Sequence, residues 1–257
     1  MAPILKEAWE LQVMRRAGSI VARTLDLVVS RTRPGVSTGE LDRLAEDFIR
    51  SEGAVPTFKG YRVGTKVFPA SICTSINEEV VHGIPSPRRL LKEGDILSVD
   101  CGATYKNYIG DAAVTIPVGK ISGAAMRLIE ATRGALVAGI AAIRPGGKLR
   151  DISAAVQDYS EKRGYSLVKL YCGHGVGQKL HEEPQVPNYV SEAYENMNLK
   201  LKPGLVLAIE PMLNEGGEEV DELEDRWTVV TRDRKLSAHF EHTVAITDAG
   251  TQILTLP

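Results

Sequence analysis

Apolar residues recur at helical spacing in four stretches of the chain, and these stretches form two similar pairs. The second stretch opens with Ser37-Thr-Gly-Glu40, the pattern of a capping box, in which serine and glutamate side chains satisfy free backbone amides. A Pro-Gly turn separates the members of each pair, at Arg33-Pro34-Gly35 and at Arg144-Pro145-Gly146. We therefore predict four amphipathic helices. Their ranges are Ile4 to Arg31, Ser37 to Gly53, Ser122 to Ile143 and Lys148 to Arg163.

Two short apolar runs that follow a Lys-x-Gly turn form a second repeat. Lys92-Glu-Gly-Asp-Ile-Leu-Ser-Val-Asp100 is matched 110 residues later by Lys202-Pro-Gly-Leu-Val-Leu-Ala-Ile-Glu210. Both runs are rich in β-formers and too short for a helix, so we expect two buried strands, each ending at its carboxylate. Downstream of each run, Asp111-Ala-Ala-Val-Thr-Ile116 and Glu241-His-Thr-Val-Ala-Ile246 share an acid followed by apolar residues.

These repeats predict one domain over residues 1–257, built from two halves of about residues 1–120 and 121–257. If the halves pack about a pseudo-two-fold axis, strand ends from both meet at one place and bring four carboxylates together. Buried like charges repel one another unless cations neutralise them. A metal centre between the halves is the simplest expectation.

The bulk composition is that of an ordinary enzyme-sized chain, with 257 residues, 43% hydrophobic residues and a net charge of −2. This length supports a substantial core, and the near-neutral charge argues against specific nucleic-acid binding. The three cysteines form no Cys-x-x-Cys pair, so we expect neither a disulfide framework nor a thiolate zinc site. No run of 18 apolar residues occurs, and we expect no signal peptide and no membrane partner.

Histidines are concentrated in the same segments as the acids. His82 alone would be an ordinary turn residue, but His174 lies within Cys172-Gly-His-Gly-Val-Gly177, where we expect the glycines to let the backbone approach whatever the ring binds. One neutral imidazole with four carboxylates suits Mn, Fe, Co or Zn. Two cations could share such a set with a bridging water of lowered pKa, which favours a hydrolase. The five histidines are His82, His174, His181, His239 and His242.

Seven motifs carry a resemblance to a known family. They are His82-Gly-Ile-Pro85, Val99-Asp100-Cys-Gly102, Gly110-Asp111, Gly173-His174-Gly-Val-Gly177, His181-Glu-Glu-Pro184, Ile209-Glu210-Pro211-Met212 and Phe240-Glu241-His242-Thr243. With these motifs the chain resembles, from Pro34 to Thr247, the type I methionine aminopeptidases of the pita-bread metallopeptidase family. The resemblance implies an α+β fold with two pseudo-symmetric αβ halves around a central antiparallel sheet. It also implies two divalent metal ions and removal of the initiator methionine from nascent proteins, with a preference for a small second residue.

The resemblance also assigns residue roles. The implied metal ligands are Asp100, Asp111, His174, Glu210 and Glu241. Glu210 is the implied general base, and His82 and His181 would contact the scissile amide and stabilise its tetrahedral intermediate. The implied pocket for the methionine side chain consists of Tyr61, Phe68, Cys73 and Trp227.

Four features depart from the family pattern. The segment from Tyr61 to Phe68 is a few residues longer than in typical members, and Leu180 stands where an aromatic residue is common. Val81 replaces a common cysteine, and His239 stands where glutamine is usual. We expect these features to change the shape and selectivity of the pocket and to leave the chemistry intact.

The cysteine pattern favours a cytoplasmic location. We also expect a monomer that acts on the N-terminal Met of nascent polypeptides and contacts the ribosome transiently. An alternative is an Xaa-Pro aminopeptidase or prolidase with the same metal set. Those relatives carry a large extra N-terminal domain, whereas 99 residues precede Asp100 here. A second alternative is a non-catalytic pita-bread binding protein, but such proteins typically lose ligands and all five are present.

Overall fold

The computed structural model describes residues 2–144 and 146–257, so that Pro145 of the second Arg-Pro-Gly repeat lies outside the described residues. The helices are α1 (Ala8–Arg31), α2 (Thr38–Ser51), α3 (Gly123–Ala141) and α4 (Leu149–Glu161), with a short 3₁₀ helix over Glu195–Asn198. The strands before α3 are β1 (Val55–Pro56), β2 (Arg62–Val63), β3 (Lys66–Val67), β4 (Ile72–Ile76), β5 (Glu79–Val81), β6 (Ile96–Tyr105) and β7 (Tyr108–Pro117). Those after α4 are β8 (Ser166–Leu167), β9 (Gly173–Gly175), β10 (Glu182–Val186), β11 (Val206–Ile209), β12 (Met212–Asn214), β13 (Val220–Glu222), β14 (Val229–Thr231), β15 (Ser237–His239), β16 (Glu241–Thr247) and β17 (Gly250–Ile253).

The four predicted helices are present, and the main correction concerns the start of α1. It begins at Ala8 instead of Ile4, because the amide of Lys6 donates to the carbonyl of Gly204 at 2.7 Å and so ties the preceding residues to the loop before β11. At the start of α2, the Ser37 hydroxyl accepts a hydrogen bond from the amide of Glu40 at 3.1 Å, which is the serine half of the predicted capping box. The described contacts of α2 do not include the reciprocal bond from the Glu40 side chain. No helix in the described ranges is both long and apolar enough to cross a bilayer.

A nine-stranded sheet joins the two halves of the chain. Seven strands follow the order β1-β6-β7-β16-β11-β9-β10, while β4 pairs with β6 and β17 with β16. The strands β7 and β16 meet in the middle, where Ala113 lies opposite Glu241 in an antiparallel pair. The acid-bearing strands β6 and β7 of the first half therefore lie beside β16 and β11 of the second half in one continuous sheet.

The helices cover one face of this sheet. Leu97 and Val99 of β6 pack in one core cluster with residues of α1 and α2. Leu207 and Ile209 of β11 pack in another with residues of α3 and α4. Since successive side chains of a strand point to opposite faces, the residues between these apolar positions face away from the helices.

Contrary to expectation, β6 does not end at Asp100. The strand has ten residues, and its pairing with β7 continues from Ile96 opposite Pro117 to Tyr105 opposite Tyr108. It ends at a two-residue turn over Lys106 and Asn107, which both have positive φ. A single acid on one face leaves the backbone free to pair, so the hairpin turn sets the strand end.

Close approach of α1 to the C-terminal residues requires a glycine at position 18. A Cβ there would clash with the Leu254 carbonyl and lie 3.1 Å from the Thr255 nitrogen. Alanine in a helix usually gains about 1 kcal/mol over glycine. Here the obstructing atoms are backbone, so we predict that Gly18→Ala lowers the free energy of unfolding by about 1–3 kcal/mol.

Thermal unfolding of the metal-free protein tests this prediction. Gly123→Ala is the matched control, because this glycine is exposed in the first turn of α3 and its nearest neighbour is an Arg127 side-chain nitrogen at 3.4 Å. We expect the control to keep or raise the Tm. A Gly18→Ala protein that unfolds at the wild-type Tm would contradict the packing described here.

Candidate metal centre

Three of the acids lie on the face of the sheet that the helices leave free. Asp100 pairs with Ala113, and Ala113 pairs with Glu241, so one row across β6, β7 and β16 carries an acid on either side of a small residue. Asp111 lies two residues before Ala113 on β7 and therefore shares this face. The methyl side chain of Ala113 leaves the space between the acids open.

The neighbouring strands add the other two predicted ligands. His174 of β9 pairs with Ala208 of β11, and Glu210 follows Ala208 by two residues on the same face. The Nε2 atom of His174 lies 3.6 Å from Glu210 Oε1 and 3.9 Å from Asp111 Oδ2. Potential ligand atoms of Asp111, His174 and Glu241 all lie within 4.8 Å of one another. The structure thus brings together all five residues that the resemblance named.

The tautomer of His174 follows from its backbone contact. Its Nδ1 atom lies 2.9 Å from the carbonyl oxygen of Gly175, which can only accept, so Nδ1 carries the proton and Nε2 keeps its lone pair. The packing of β9 also requires the flanking glycines. A Cβ on Gly173 would clash with the Ala208 carbonyl, and one on Gly175 with the Glu183 carbonyl. They permit β9 to pack between its neighbouring strands.

Burial makes these acids hard to ionise. It raises the pKa of Asp100 to about 7. Burial, followed by the charge of Asp100, raises the pKa of Asp111 and that of Glu210 well above their ordinary values. The pKa of Glu241 is raised well above its ordinary value by burial and then by the charge of Asp111. Without a counter-charge, the group therefore retains protons near neutral pH.

The donor set fits a divalent metal centre. Among the described residues, Asp100 Oδ1, Asp111 Oδ1 and Glu241 Oε1 are buried without a hydrogen-bond partner. Buried polar oxygens without partners are costly, and a cation would satisfy them. Carboxylate oxygens with one neutral imidazole accept several divalent ions, so the donor set does not select one metal.

His82 lies in a strained turn beside the acids. Its φ is +61°, in the left-handed region, and a Cβ on the next residue, Gly83, would clash with the Thr74 carbonyl. The His82 ring meets Tyr171 and Trp227 edge-on, with centroid distances of 5.5 and 6.2 Å. Burial lowers the pKa of His82 to about 4, so the ring is neutral at physiological pH.

An apolar wall adjoins the acids and completes a cavity of about 260 Å³. Cys73 of β4 lies opposite Asp100 of β6, so the wall begins one strand away from the acidic row. The Phe68 ring packs edge-on against Trp227 at 5.3 Å. This volume lies at the small end of ligand pockets, which suits a single side chain with its flanking peptide.

All the site residues predicted from the sequence line this cavity. The metal-ligand set is joined by His82 and His181 and by the apolar residues Tyr61, Phe68, Cys73 and Trp227. Their individual roles stay predictions. Sequence reasoning missed Tyr171, Phe58 and Cys172, which also line the cavity; the position of Tyr171 immediately before the His174 motif was the available signal.

Of the five histidines that share segments with the acids, His242 does not line the cavity. It pairs with Ala112, which belongs to the core cluster under α1 and α2, and its Nδ1 lies 2.8 Å from the Thr255 hydroxyl. By contrast, the three single-residue departures from the family pattern do line the cavity, at Val81, Leu180 and His239.

A family model described as metallopeptidase family M24 matches residues 12–248 of the chain. The chain belongs to this family. It is therefore a metal-dependent hydrolase, as the sequence predicted. The M24 chain is 52% identical over 252 residues to "Methionine aminopeptidase 1" of Bacillus subtilis, with 98% of each chain covered. It is 51% identical over 253 residues to "Methionine aminopeptidase" of Clostridium acetobutylicum, again with 98% of each covered.

Solved structures agree with these matches. Methionine aminopeptidase from Thermotoga maritima superposes on the M24 chain with a TM-score of 0.94 at 41% identity, and both chains are covered completely. An Xaa-Pro dipeptidase from Bacillus anthracis has a TM-score of 0.77 at 24% identity and is covered to 62%, a likeness that shows the fold alone. The fold is the predicted pita-bread fold.

Removing one carboxylate donor should weaken metal binding by this M24 protein. We predict that Asp111→Asn lowers the Mn²⁺ affinity by more than the roughly 10–100-fold that the loss of an outer-shell partner costs. Isothermal titration calorimetry of the metal-free protein measures this change. The matched control is Asp158→Asn, since Asp158 is exposed and pairs with Lys162 on the surface of α4.

The same titration should depend on pH in a defined direction. Mn²⁺ must displace protons from acids whose pKa values are raised, Asp100 to about 7 among them, so the apparent affinity should rise from pH 6 to pH 8. An affinity that stays flat over this range, or an Asp111→Asn protein that binds like the control, would contradict this site.

Proposed function

We propose that this M24 chain removes methionine from the N-terminus of polypeptides, with the help of two divalent metal ions and with a preference for a small second residue. Support comes from the relatives named methionine aminopeptidase, which match the whole length of the chain. The preference for a small second residue rests on the family resemblance.

One observation about the site carries the proposal: the apolar wall and the acids form one cavity. Cys73, Asp100 and, two strands further, Glu241 belong to a single row across the sheet. A methionine side chain against Phe68 and Trp227 would place its own carbonyl beside the acids. Flexible thioethers pack well against aromatic rings, which supports methionine over a charged or β-branched side chain.

The five predicted ligands would hold the ions. Bound divalent cations would supply Lewis acidity that polarises the scissile carbonyl and makes water nucleophilic near neutral pH. Glu210 lies at the edge of this group, half-buried, with Oε1 at 3.6 Å from His174 Nε2. We assign Glu210 the transfer of a proton from the attacking water to the leaving amine, because a carboxylate can accept a proton in the first step and return it in the second.

Two further imidazoles flank the acids. His82 is neutral and could donate a hydrogen bond into the cavity. The His181 ring lies 4.4 Å from the His174 ring, at the exposed rim of the cavity. We assign both rings to the scissile amide, where a donor stabilises the oxygen as negative charge develops on it. A cytoplasmic location, a monomeric state and transient contact with the ribosome remain predictions.

A peptide panel tests the proposed specificity. We expect metal-free protein to leave Met-Ala-Ser intact and Mn²⁺ to restore release of methionine, measured by chromatography of the products. Ala-Pro peptides should remain uncut under the same conditions. Cleavage of Ala-Pro in preference to Met-Ala-Ser would favour a prolidase-like enzyme, and no cleavage of either peptide would favour a binding protein.

Glu210→Gln tests the proton-transfer role, since the amide keeps the side-chain volume but cannot accept the proton. We expect kcat on Met-Ala-Ser to fall by about 10²–10⁴-fold. Glu215→Gln is the control, because Glu215 is exposed just after β12. A Glu210→Gln protein with full metal content and a kcat near that of the wild type would refute this role.

A further inference from the structure

A hydrogen bond to the ring of His181 bears on the tautomer of the ring as well as on its position. The Tyr61 hydroxyl lies 2.6 Å from Nδ1 of His181, and the two rings meet edge-on at 5.6 Å. We propose that Tyr61 is a positioning residue, which donates to Nδ1 and holds His181 in the tautomer that carries its proton on Nε2. The inference rests on the proposed function, because it concerns how His181 acts on the scissile amide.

We infer the direction of this hydrogen bond from the groups that the protein itself supplies. A neutral imidazole has one donor and one acceptor nitrogen, so Nδ1 either accepts from Tyr61 or donates to it. Among the described residues, Nδ1 of His181 is the acceptor that the Tyr61 hydroxyl reaches, so donation from Tyr61 to Nδ1 pairs the two groups within the protein. The phenol hydroxyl carries its proton near neutral pH, so it can face Nδ1 as a donor.

The neighbouring ring has the opposite arrangement. His174 donates from Nδ1 to the carbonyl of Gly175 and exposes a lone pair on Nε2, as a metal ligand requires. His181, 4.4 Å away, faces a hydroxyl donor in place of a carbonyl acceptor. Two adjacent imidazoles are therefore set to opposite tautomers by the partners of their Nδ1 atoms. One can bind a cation, and the other can donate a hydrogen bond.

Both partners of the hydrogen bond are anchored. The amide of Tyr61 donates to the Phe58 carbonyl at 2.9 Å, and its carbonyl accepts from the Phe68 amide at 2.9 Å. Next to His181, Glu182 forms an ion pair with Lys6 at 2.6 Å, with both side chains at most 5% exposed. The backbone is therefore held on both sides of the contact, at Tyr61 and beside His181. The hydroxyl contact can thus fix the orientation of the His181 ring at the exposed rim of the cavity.

The chemical consequence concerns the developing oxyanion. An Nε2–H group can donate to the carbonyl oxygen of the scissile bond as negative charge grows on it. The other tautomer would present a lone pair to that oxygen and repel it. The lone pair on Nε2 would also compete with His174 for a bound cation. Tyr61 thus makes His181 a hydrogen-bond donor, in contrast to the metal ligand His174. The ring of Tyr61 also forms part of the apolar wall.

The substitution Tyr61→Phe removes the hydroxyl and keeps the ring. Long-range ¹H–¹⁵N spectra of ¹⁵N-histidine-labelled protein, metal-free and with Zn²⁺, report the tautomer directly, with His181→Gln used to assign the signal. We expect His181 in the wild type to show a protonated Nε2 and an unprotonated Nδ1, and in Tyr61→Phe to show a mixture of tautomers. A protonated Nδ1 in the wild type would overturn the inference.

Kinetics on Met-Ala-Ser supply the second readout. For Tyr61→Phe we expect kcat to fall about 10–100-fold, the usual cost of losing a partner that orients a functional imidazole. KM should change less than kcat, because the apolar wall is retained. Tyr108→Phe is the control. It deletes a hydroxyl that lies outside the cavity and donates to Glu10 at 2.6 Å. An unchanged kcat with an unchanged tautomer would refute the role of Tyr61.

These readouts separate the inference from the proposed function. If the Mn²⁺-loaded wild type cleaves no Met peptide, the proposed function fails, while the spectra still decide whether Tyr61 sets the tautomer. If the wild type cleaves the peptide but the spectra show a protonated Nδ1 on His181, the inference fails and the proposed function stands.

Discussion

The crowding of four carboxyl groups on one face of a single sheet is the constraint on which the rest of this structure depends. Asp111 and Glu241 are almost fully buried, with 4% and 3% exposure. Two like charges 4 Å apart near a protein surface repel by about 4 kcal/mol. One such pair would consume a large share of a typical domain stability of about 5–15 kcal/mol. The acids must therefore keep their protons or bind cations.

The duplicated architecture explains how a chain can concentrate this charge and still fold. The sheet buries its other face under two helix pairs, so the apolar core does not depend on the acidic face. The pairing of β7 with β16 places Glu241 opposite Ala113, so that Asp111, two residues before Ala113, shares its face of the sheet. Ala113 and Ala208 then leave room where larger side chains would fill the space between the acids and His174.

Much of this was readable from the sequence, since the repeated runs ending at Asp100 and Glu210 indicated two halves and a shared acidic site. Periodicity also found the four helices. It misplaced the end of β6, because backbone pairing continues past a single acid until a turn intervenes. It could not show that His242 faces the core or that Tyr61 reaches His181, because these contacts join residues far apart in sequence. The glycines around His174 were noticed, but their need in strand packing could not be read from a local motif.

The most direct test of the account is a crystal structure grown with Mn²⁺ and measured at the manganese absorption edge. The account predicts two anomalous peaks between β6, β7, β16, β11 and β9, with oxygen or nitrogen donors from Asp100, Asp111, His174, Glu210 and Glu241. Peaks found only elsewhere on the molecule, or acids that remain without ions at saturating Mn²⁺, would contradict the claim that cations balance this face of the sheet.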